Sequence, residues 1–161
     1  MKTPKISKAI DEIDEQILLR LSNDGRISMS DLASQVGLSA PSVTERVRHL
    51  QQHGIIRSIS ADIDWKALGY VLEAIVRIKP RPGELHKVEA MIDAQPRFTH
   101  CDKVTGEDCF VTRLVIRDIG ELDPLLDPFH DRAETNTAIV KSSPLSGRLP
   151  PLLEEKGFTV K

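Results

Sequence analysis

Apolar positions in the first third of the chain recur at helical spacing. Ile10, Ile13, Ile17 and Leu21 repeat every three or four residues, which predicts a helix from Ile10 or Asp11 to Leu21. Asp11, Glu12, Asp14 and Glu15 crowd its first turns, where carboxylates face the positive end of the helix dipole. The polar run SNDGRIS ends it. A shorter helix follows, capped by Ser28 or Ser30 and burying Leu32, Ala33 and Val36, with Gly37 as a left-handed C-cap. Ser39 then caps a third helix whose first turn holds Pro41, where a missing N–H costs nothing, and which stops near His53-Gly54. Three helices joined by such short turns predict a helix-turn-helix. The roughly alternating IIRSISADI behind them predicts a wing strand, giving a winged helix-turn-helix over residues 8–61.

The period changes after a linker at residues 62–70 (DIDWKALGY), where a plain packing role is expected for Trp65. Leu72, Ala74, Val76 and Ile78 alternate as one face of a strand. Leu85, Val88, Met91 and Ile92 return to helical spacing. Two strands follow at about 98–104 and 109–117, separated by TGED; then a short helix from Ile119 to Leu126, and a last strand from Thr135 to Lys141. Strand, helix, strand, strand, helix, strand is the ferredoxin-like βαββαβ order, so an α+β chain is predicted with this second domain over residues 71–143. Helices cover one face of such a sheet, and a partner subunit is the simplest cover for the other. The proline-rich tail, residues 144–161, carries no functional signal, though Leu149 to Lys156 could form a turn or two of helix.

The third helix, within GLSAPSVTERVRHLQQHGII, has two faces. At about 100° per residue Val43, Val47 and Leu50 fall in one sector and point into the helical core. Pro41, Glu45, Arg48 and His49 lie opposite, with Ser42 and Thr44 on the flanks and Arg46 near the buried edge. A DNA major groove admits a helix, and small, hydroxyl and charged groups reach base edges or phosphates. The candidate DNA contacts are therefore Ser39, Pro41, Ser42, Thr44, Glu45, Arg46, Arg48, His49 and Arg57. Arg48 is the better base reader; Arg46 is expected to pack its stem and reach a phosphate with a free head. The competing reading is a merely solvated face, with Glu45 and Arg48 as a local ion pair.

Charge sharpens this only a little. The 161 residues carry a net charge of −2, with +1 in residues 1–60 and −3 in the remainder. Three arginines stand against one glutamate between residues 37 and 60, and a dimer would present that patch twice. The basic start MKTPKISKAIDE lacks the apolar stretch of a secretory signal and no apolar run is long enough to span a bilayer, so a cytoplasmic protein is expected, with no membrane partner. Cys101 and Cys109 match no zinc spacing, and His86 and His130 lack ligand spacing. His100 neighbours Cys101, but strand alternation sends adjacent side chains to opposite faces. There is no glycine-rich phosphate loop, and neither enzyme activity, cofactor nor metal is expected.

The segment from DEIDEQILL to SISADID closely resembles the N-terminal half of the leucine-responsive/asparagine (Lrp/AsnC, or feast/famine) family of transcriptional regulators. The resemblance rests on Ile13-Asp14, Ile17-Leu18, Asp24-Gly25-Arg26, Leu32-Ala33, Val36-Gly37-Leu38-Ser39, Val43, Arg46, Leu50 and Gly54-Ile55-Ile56. It continues through Leu68-Gly69 and the βαββαβ half, covering about residues 10–143. It implies a regulator that binds double-stranded DNA, forms homodimers that assemble into octamer-like discs, and binds a free amino acid between dimers. The loop Thr105-Gly106-Glu107-Asp108 reads by itself as a hairpin turn, although turn amides and a carboxylate can also hold both ends of a small zwitterion. By resemblance the effector-binding residues are Thr105, Gly106, Glu107, Asp108, Cys109, Phe110 and Thr137. The family's usual Gly-Asp-aromatic-Asp-aromatic stands here as Gly106-Glu107-Asp108-Cys109-Phe110, a departure that leaves the ligand open. The alternative to a regulator is an oligomeric small-molecule-binding protein without specific DNA binding.

Overall fold

The computed structural model describes residues 10–153, so the first two residues of the expected first domain and the last three of the expected tail helix (154–156) lie outside it; residues 149–153 are irregular. The chain divides into two compact units, one running to Asp62 and joined by the segment from Leu145, the other Ile63–Pro144.

The first unit is a three-helix cluster. Helix α1 (Glu12–Asn23) starts at a capping box: Asp11 Oδ1 accepts from the Asp14 amide at 2.8 Å, and Asp14 Oδ2 from the Asp11 amide at 3.2 Å. Helix α2 (Met29–Val36) is capped by Ser28 and ends at Gly37, whose φ of 70° is the left-handed conformation expected there. Helix α3 (Ala40–Gln52) is capped by Ser39, and its early proline leaves no bond unmade. Ile17, Leu32, Ala33, Val43, Val47 and Leu50 form the core.

The expected wing strand does not form within this chain. Residues 55–64 have no strand partner, and all but Ile55 and Ile56 are exposed. Alternation makes a segment competent for a ladder, but a strand exists only where a neighbour supplies the opposite N–H and C=O groups. The segment instead returns past the turn after α1, where Ile59 Cγ2 lies 2.8 Å from the position a Cβ on Gly25 would occupy.

The second unit is ferredoxin-like. Strands β1 (Leu72–Pro80), β2 (Phe98–Lys103), β3 (Phe110–Ile116) and β4 (Ala133–Ile139) form an antiparallel sheet in the order β2-β3-β1-β4. Helix α4 (Leu85–Ala94) joins β1 to β2, and the short α5 (Leu122–Leu126), flanked by 3₁₀ turns, joins β3 to β4. The last strand begins two residues before its expected start. Ala74, Val76, Ile78, Phe110, Leu114 and Ile116 pack one face of the sheet against Val88, Ile92, Leu126 and Phe129. Thr112, fully buried among them, is satisfied by donating to the Val76 carbonyl at 2.9 Å. The alternate positions of the central strands, including Ile75, Arg77, Lys79, Val111 and Arg113, occupy the other face.

Candidate nucleic-acid interface and ligand loop

Helix α3 presents the outward face that its periodicity predicted. Val43 and Leu50 are wholly buried and Val47 nearly so, while Pro41, Ser42, Thr44, Glu45, Arg48 and His49 are exposed. Part of that face is engaged locally. Ser39 Oγ caps the Ser42 amide and lies 2.8 Å from Ser42 Oγ; Thr44 Oγ1 donates to the Ala40 carbonyl at 2.8 Å. Arg48 Nη1 donates to Glu45 Oε2 at 2.8 Å in an exposed i,i+3 pair, a tie of about 0.3 kcal/mol. At the C-terminal end the His49 and His53 rings lie 4.0 Å apart, and the His49 carbonyl accepts from His53 Nδ1 at 2.8 Å.

Arg46 departs from its expected role. Its head is not free: Nη1 donates to Asp11 Oδ2 and Asp14 Oδ1, both at 2.8 Å. The two carboxylates of the α1 capping box thus grip the middle of α3. The pairing holds the Arg46 guanidinium above its ordinary pKa, first through Asp14 and then Asp11. Asp11 lies below its usual range, chiefly because the Asp14 amide donates to it and secondarily because of Arg46. A helical wheel places Arg46 beside the core but cannot reveal partners more than thirty residues away. Arg57 is exposed and lines a cleft of about 830 Å³ formed by Leu18, Leu21, the turn after α1, residues 55–62 and Leu149.

The loop between β2 and β3 is closed at its base. The Val104 amide donates to the Cys109 carbonyl at 2.8 Å, and the Phe110 amide to Asp108 at 2.7 Å. Gly106 has a φ of 119°, which accounts for glycine at that point. Cys109 lies just before β3, half-buried, with a φ of 60° that costs a non-glycine residue about 1 kcal/mol or more. Phe110 is 1% exposed and belongs to the hydrophobic core, so it anchors the loop rather than lining its surface. Thr105, Gly106 and Glu107 are exposed. Thr137 pairs with Val76 on the helix-covered face, so a single chain does not bring it to the loop carboxylates.

Sequence reasoning missed what stands opposite those carboxylates. Arg77 Nε lies 3.9 Å from Asp108 Oδ2, and Lys79 Nζ 3.8 Å from Glu107 Oε2. It also missed Tyr70, whose ring has the Arg97 guanidinium 4.7 Å and the Arg117 guanidinium 5.1 Å from its centroid. Arg97 is held in turn by Glu121 at 2.9 Å. Trp65 is 44% exposed, and its carbonyl accepts from Leu68 and Tyr70. Among the described residues no group of three His, Cys, Asp or Glu side chains could hold a metal, and no helix is long and apolar enough to cross a membrane.

A helix-turn-helix with an outward third helix, followed by a ferredoxin-like domain, defines the class of helix-turn-helix regulators that carry a ligand-binding domain. Residues 10–51 match the AsnC-type helix-turn-helix domain, and residues 73–150 the Lrp/AsnC ligand binding domain. The transcriptional regulator LrpA of Mycobacterium tuberculosis is 32% identical over 133 residues, covering 82% of this chain and 89% of LrpA. The regulator AldR of Mycolicibacterium smegmatis is 33% identical over 147 residues, 86% of each chain. A feast or famine regulatory protein of M. tuberculosis, solved in complex with L-methionine, is 30% identical with a TM-score of 0.77, covering 88% of this chain and 99% of its own. The chain belongs to the Lrp/AsnC family of transcriptional regulators.

Proposed function

We propose that this regulator lays the outward face of α3 in the DNA major groove, with Arg48 reading a base edge or phosphate and Ser42, Thr44 and His49 beside it. Ser39, Pro41, Glu45 and Arg57 border the contact; Arg46 positions the helix from behind. Residues 8–61 form the DNA-binding head, 62–70 the linker, and 71–143 the domain that assembles dimers and larger oligomers through the sheet face not covered by helices. A free amino acid bound at the loop of residues 105–110 biases the assembly by binding its alternative arrangements unequally. The observation that carries the reading is the division of α3: an apolar face sealed in the core, and an exposed face whose arginine is held by a single exposed glutamate. The relative solved with L-methionine supports an amino acid as the ligand class.

The test is a mobility shift with the full chain and a duplex from upstream of its own coding sequence, over about 50–200 mM salt. Binding that weakens steeply with salt, and about tenfold with Arg48→Ala, is expected. A folded oligomer indifferent to DNA at low salt overturns the reading. The effector is tested separately, by melting temperature, sedimentation and DNA affinity across the common L-amino acids; no change in any of the three overturns that part.

A further inference from the structure

Two histidines at the end of α3 stand apart from the other three. His86, His100 and His130 each lie beside a carboxylate, 3.9 Å from Glu89, 3.1 Å from Asp102 and 3.5 Å from Asp127. His49 and His53 lie beside each other, with ring centroids 4.0 Å apart and planes tilted by 37°. Both are exposed, and neither forms an ion pair among the described residues. Their spacing, His-x3-His in HLQQH, sets both rings on one stripe of the helix, a turn apart. The two histidines of a helical H-E-x-x-H segment hold zinc at the same spacing. His53 is further prepared for such a role. Its Nδ1 lies 2.8 Å from the His49 carbonyl oxygen, which only accepts, so Nδ1 carries the proton. The lone pair of that ring is then left on Nε2. A backbone carbonyl holding one ring nitrogen is the arrangement that fixes the tautomer of a metal-ligating histidine. The position also suits a cation, because α3 ends at His53 and the last carbonyls of a helix carry the negative end of its dipole.

We infer that His49 and His53 form a two-imidazole site for a late first-row divalent cation of the Ni²⁺, Cu²⁺ or Zn²⁺ class. Imidazole nitrogen suits these ions, whereas Mg²⁺ and Ca²⁺ take oxygen ligands. Metal–nitrogen distances of about 2.0–2.1 Å place two coordinated nitrogens about 3 Å apart, within reach of rings already side by side. The His49 carbonyl keeps the His53 ring in place, and rotation of the His49 side chain closes the chelate. No third His, Cys, Asp or Glu joins them among the described residues, so water or an outside anion completes the coordination. Such open positions set the site apart from a closed structural centre. The consequence for DNA rests on the proposed contact of α3 with the major groove. A dication on the outward face adds positive charge where the duplex carries phosphate, and its open positions accept a phosphate oxygen. Metal binding therefore raises DNA affinity.

The test uses the full-length protein and calorimetry with Ni²⁺ and Zn²⁺ alone as probes. About one ion per chain is expected, with affinity lowered about tenfold or more by His53→Gln and, separately, by His49→Gln. Helical circular dichroism and melting temperature tell a folding defect from a lost ligand, and should one variant not fold the other carries the test. Cys101→Ser and His100→Gln are expected to leave the affinity unchanged; a loss that follows either of them instead overturns the inference. Paramagnetic Ni²⁺ should broaden the imidazole proton resonances of His49 and His53 before those of His86, His100 and His130. Broadening spread evenly over all five histidines overturns the inference, and so does a failure of both ions to bind. A mobility shift with and without Zn²⁺ reads the consequence for DNA. Affinity is expected to rise about threefold or more in the unaltered protein and to ignore the metal in His53→Gln. If metal binds and DNA affinity does not rise, the coupling is overturned and the site stands. If the protein binds no DNA at all, the proposed function fails, while calorimetry still decides the site.

Discussion

Two sets of ion pairs, one in each unit, differ in how they are built. In the head, one nitrogen of Arg46 meets two carboxylates at 2.8 Å, and the Asp14 side chain is only 10% exposed. Its carboxylate also closes the capping box of α1. In the ligand domain, Arg77 and Lys79 stand 3.8–3.9 Å from carboxylates that are 43% and 90% exposed. The same chemistry thus serves opposite ends. A short, half-buried pair is expensive to break, because an unpaired carboxylate is left away from water. A long, wet pair breaks at almost no cost and is available for exchange. The first kind fixes α3 against α1; the second leaves the loop carboxylates loosely tied.

The largest effect that could break this contrast is at Arg46. Arg46→Ala leaves Asp14 without its cation and is expected to destabilise the helical head by about 2 kcal/mol, read by urea unfolding followed through helical circular dichroism. DNA affinity falls with it because α3 loses its tie to α1, and Arg46→Lys restores only part of either. A loss of stability below about 0.5 kcal/mol would show the clamp to be ornamental. By contrast, Arg77→Gln should leave the melting temperature nearly unchanged.

Next in size is Gly106. A Cβ at this position meets nothing within 4 Å, so the cost of Gly106→Val is conformational alone: a φ of 119° that a branched side chain cannot adopt without strain. About 1–3 kcal/mol is expected, confined to the melting of the second unit. Ligand response should disappear while the head still folds. Full ligand response in this variant would mean that the loop's backbone shape does not matter to the site.

The contrast between the two units also explains what the sequence could and could not disclose. The helices of the head and the order of the sheet were legible because each is written in a local period: Val43, Val47 and Leu50 in one, Ala74, Val76 and Ile78 in the other. Gly37 and Ser39 were legible because caps are local chemistry. The wing was misjudged because alternation specifies a strand only when a neighbour is present. Arg46 was placed on the correct side of α3 and given the wrong partner, since Asp11 and Asp14 lie on another helix. Arg77 and Lys79 passed unremarked because nothing in a strand's alternation says that a distant hairpin will fold over one of its faces. Tyr70 between Arg97 and Arg117 was missed for the same reason.

Arg48 sharpens the comparison from the other side, since its effect should be on binding and not on folding. Its pair with Glu45 is exposed at both ends, so Arg48→Ala is expected to change stability by less than about 0.5 kcal/mol. Whether the lost DNA affinity is spread evenly over all sequences or concentrated at one base position then distinguishes a phosphate contact from a base contact. Destabilisation comparable to that of Arg46→Ala would erase the distinction between the two arginines.

The smallest effect expected is a dependence on pH. The folded-state pKa of Asp11 lies below its ordinary value of 3.8, first because the Asp14 amide donates to it and then because of Arg46. A depressed folded pKa contributes stability that is fully present above the unfolded value and is lost as pH falls through the folded one. The stabilisation from Asp11 should therefore be fully present and independent of pH near neutrality, and be lost as the pH falls below about 4. Asparagine caps a helix about as well as aspartate, so Asp11→Asn removes the charge while keeping the cap. Its unfolding free energy should fall less steeply with acid than that of the unaltered protein. The difference should stay under about 1 kcal/mol, because the Asp11 side chain is 54% exposed. Parallel acid profiles for the two proteins would mean that Asp11 contributes only as a cap, and that Asp14 alone holds Arg46 in the clamp.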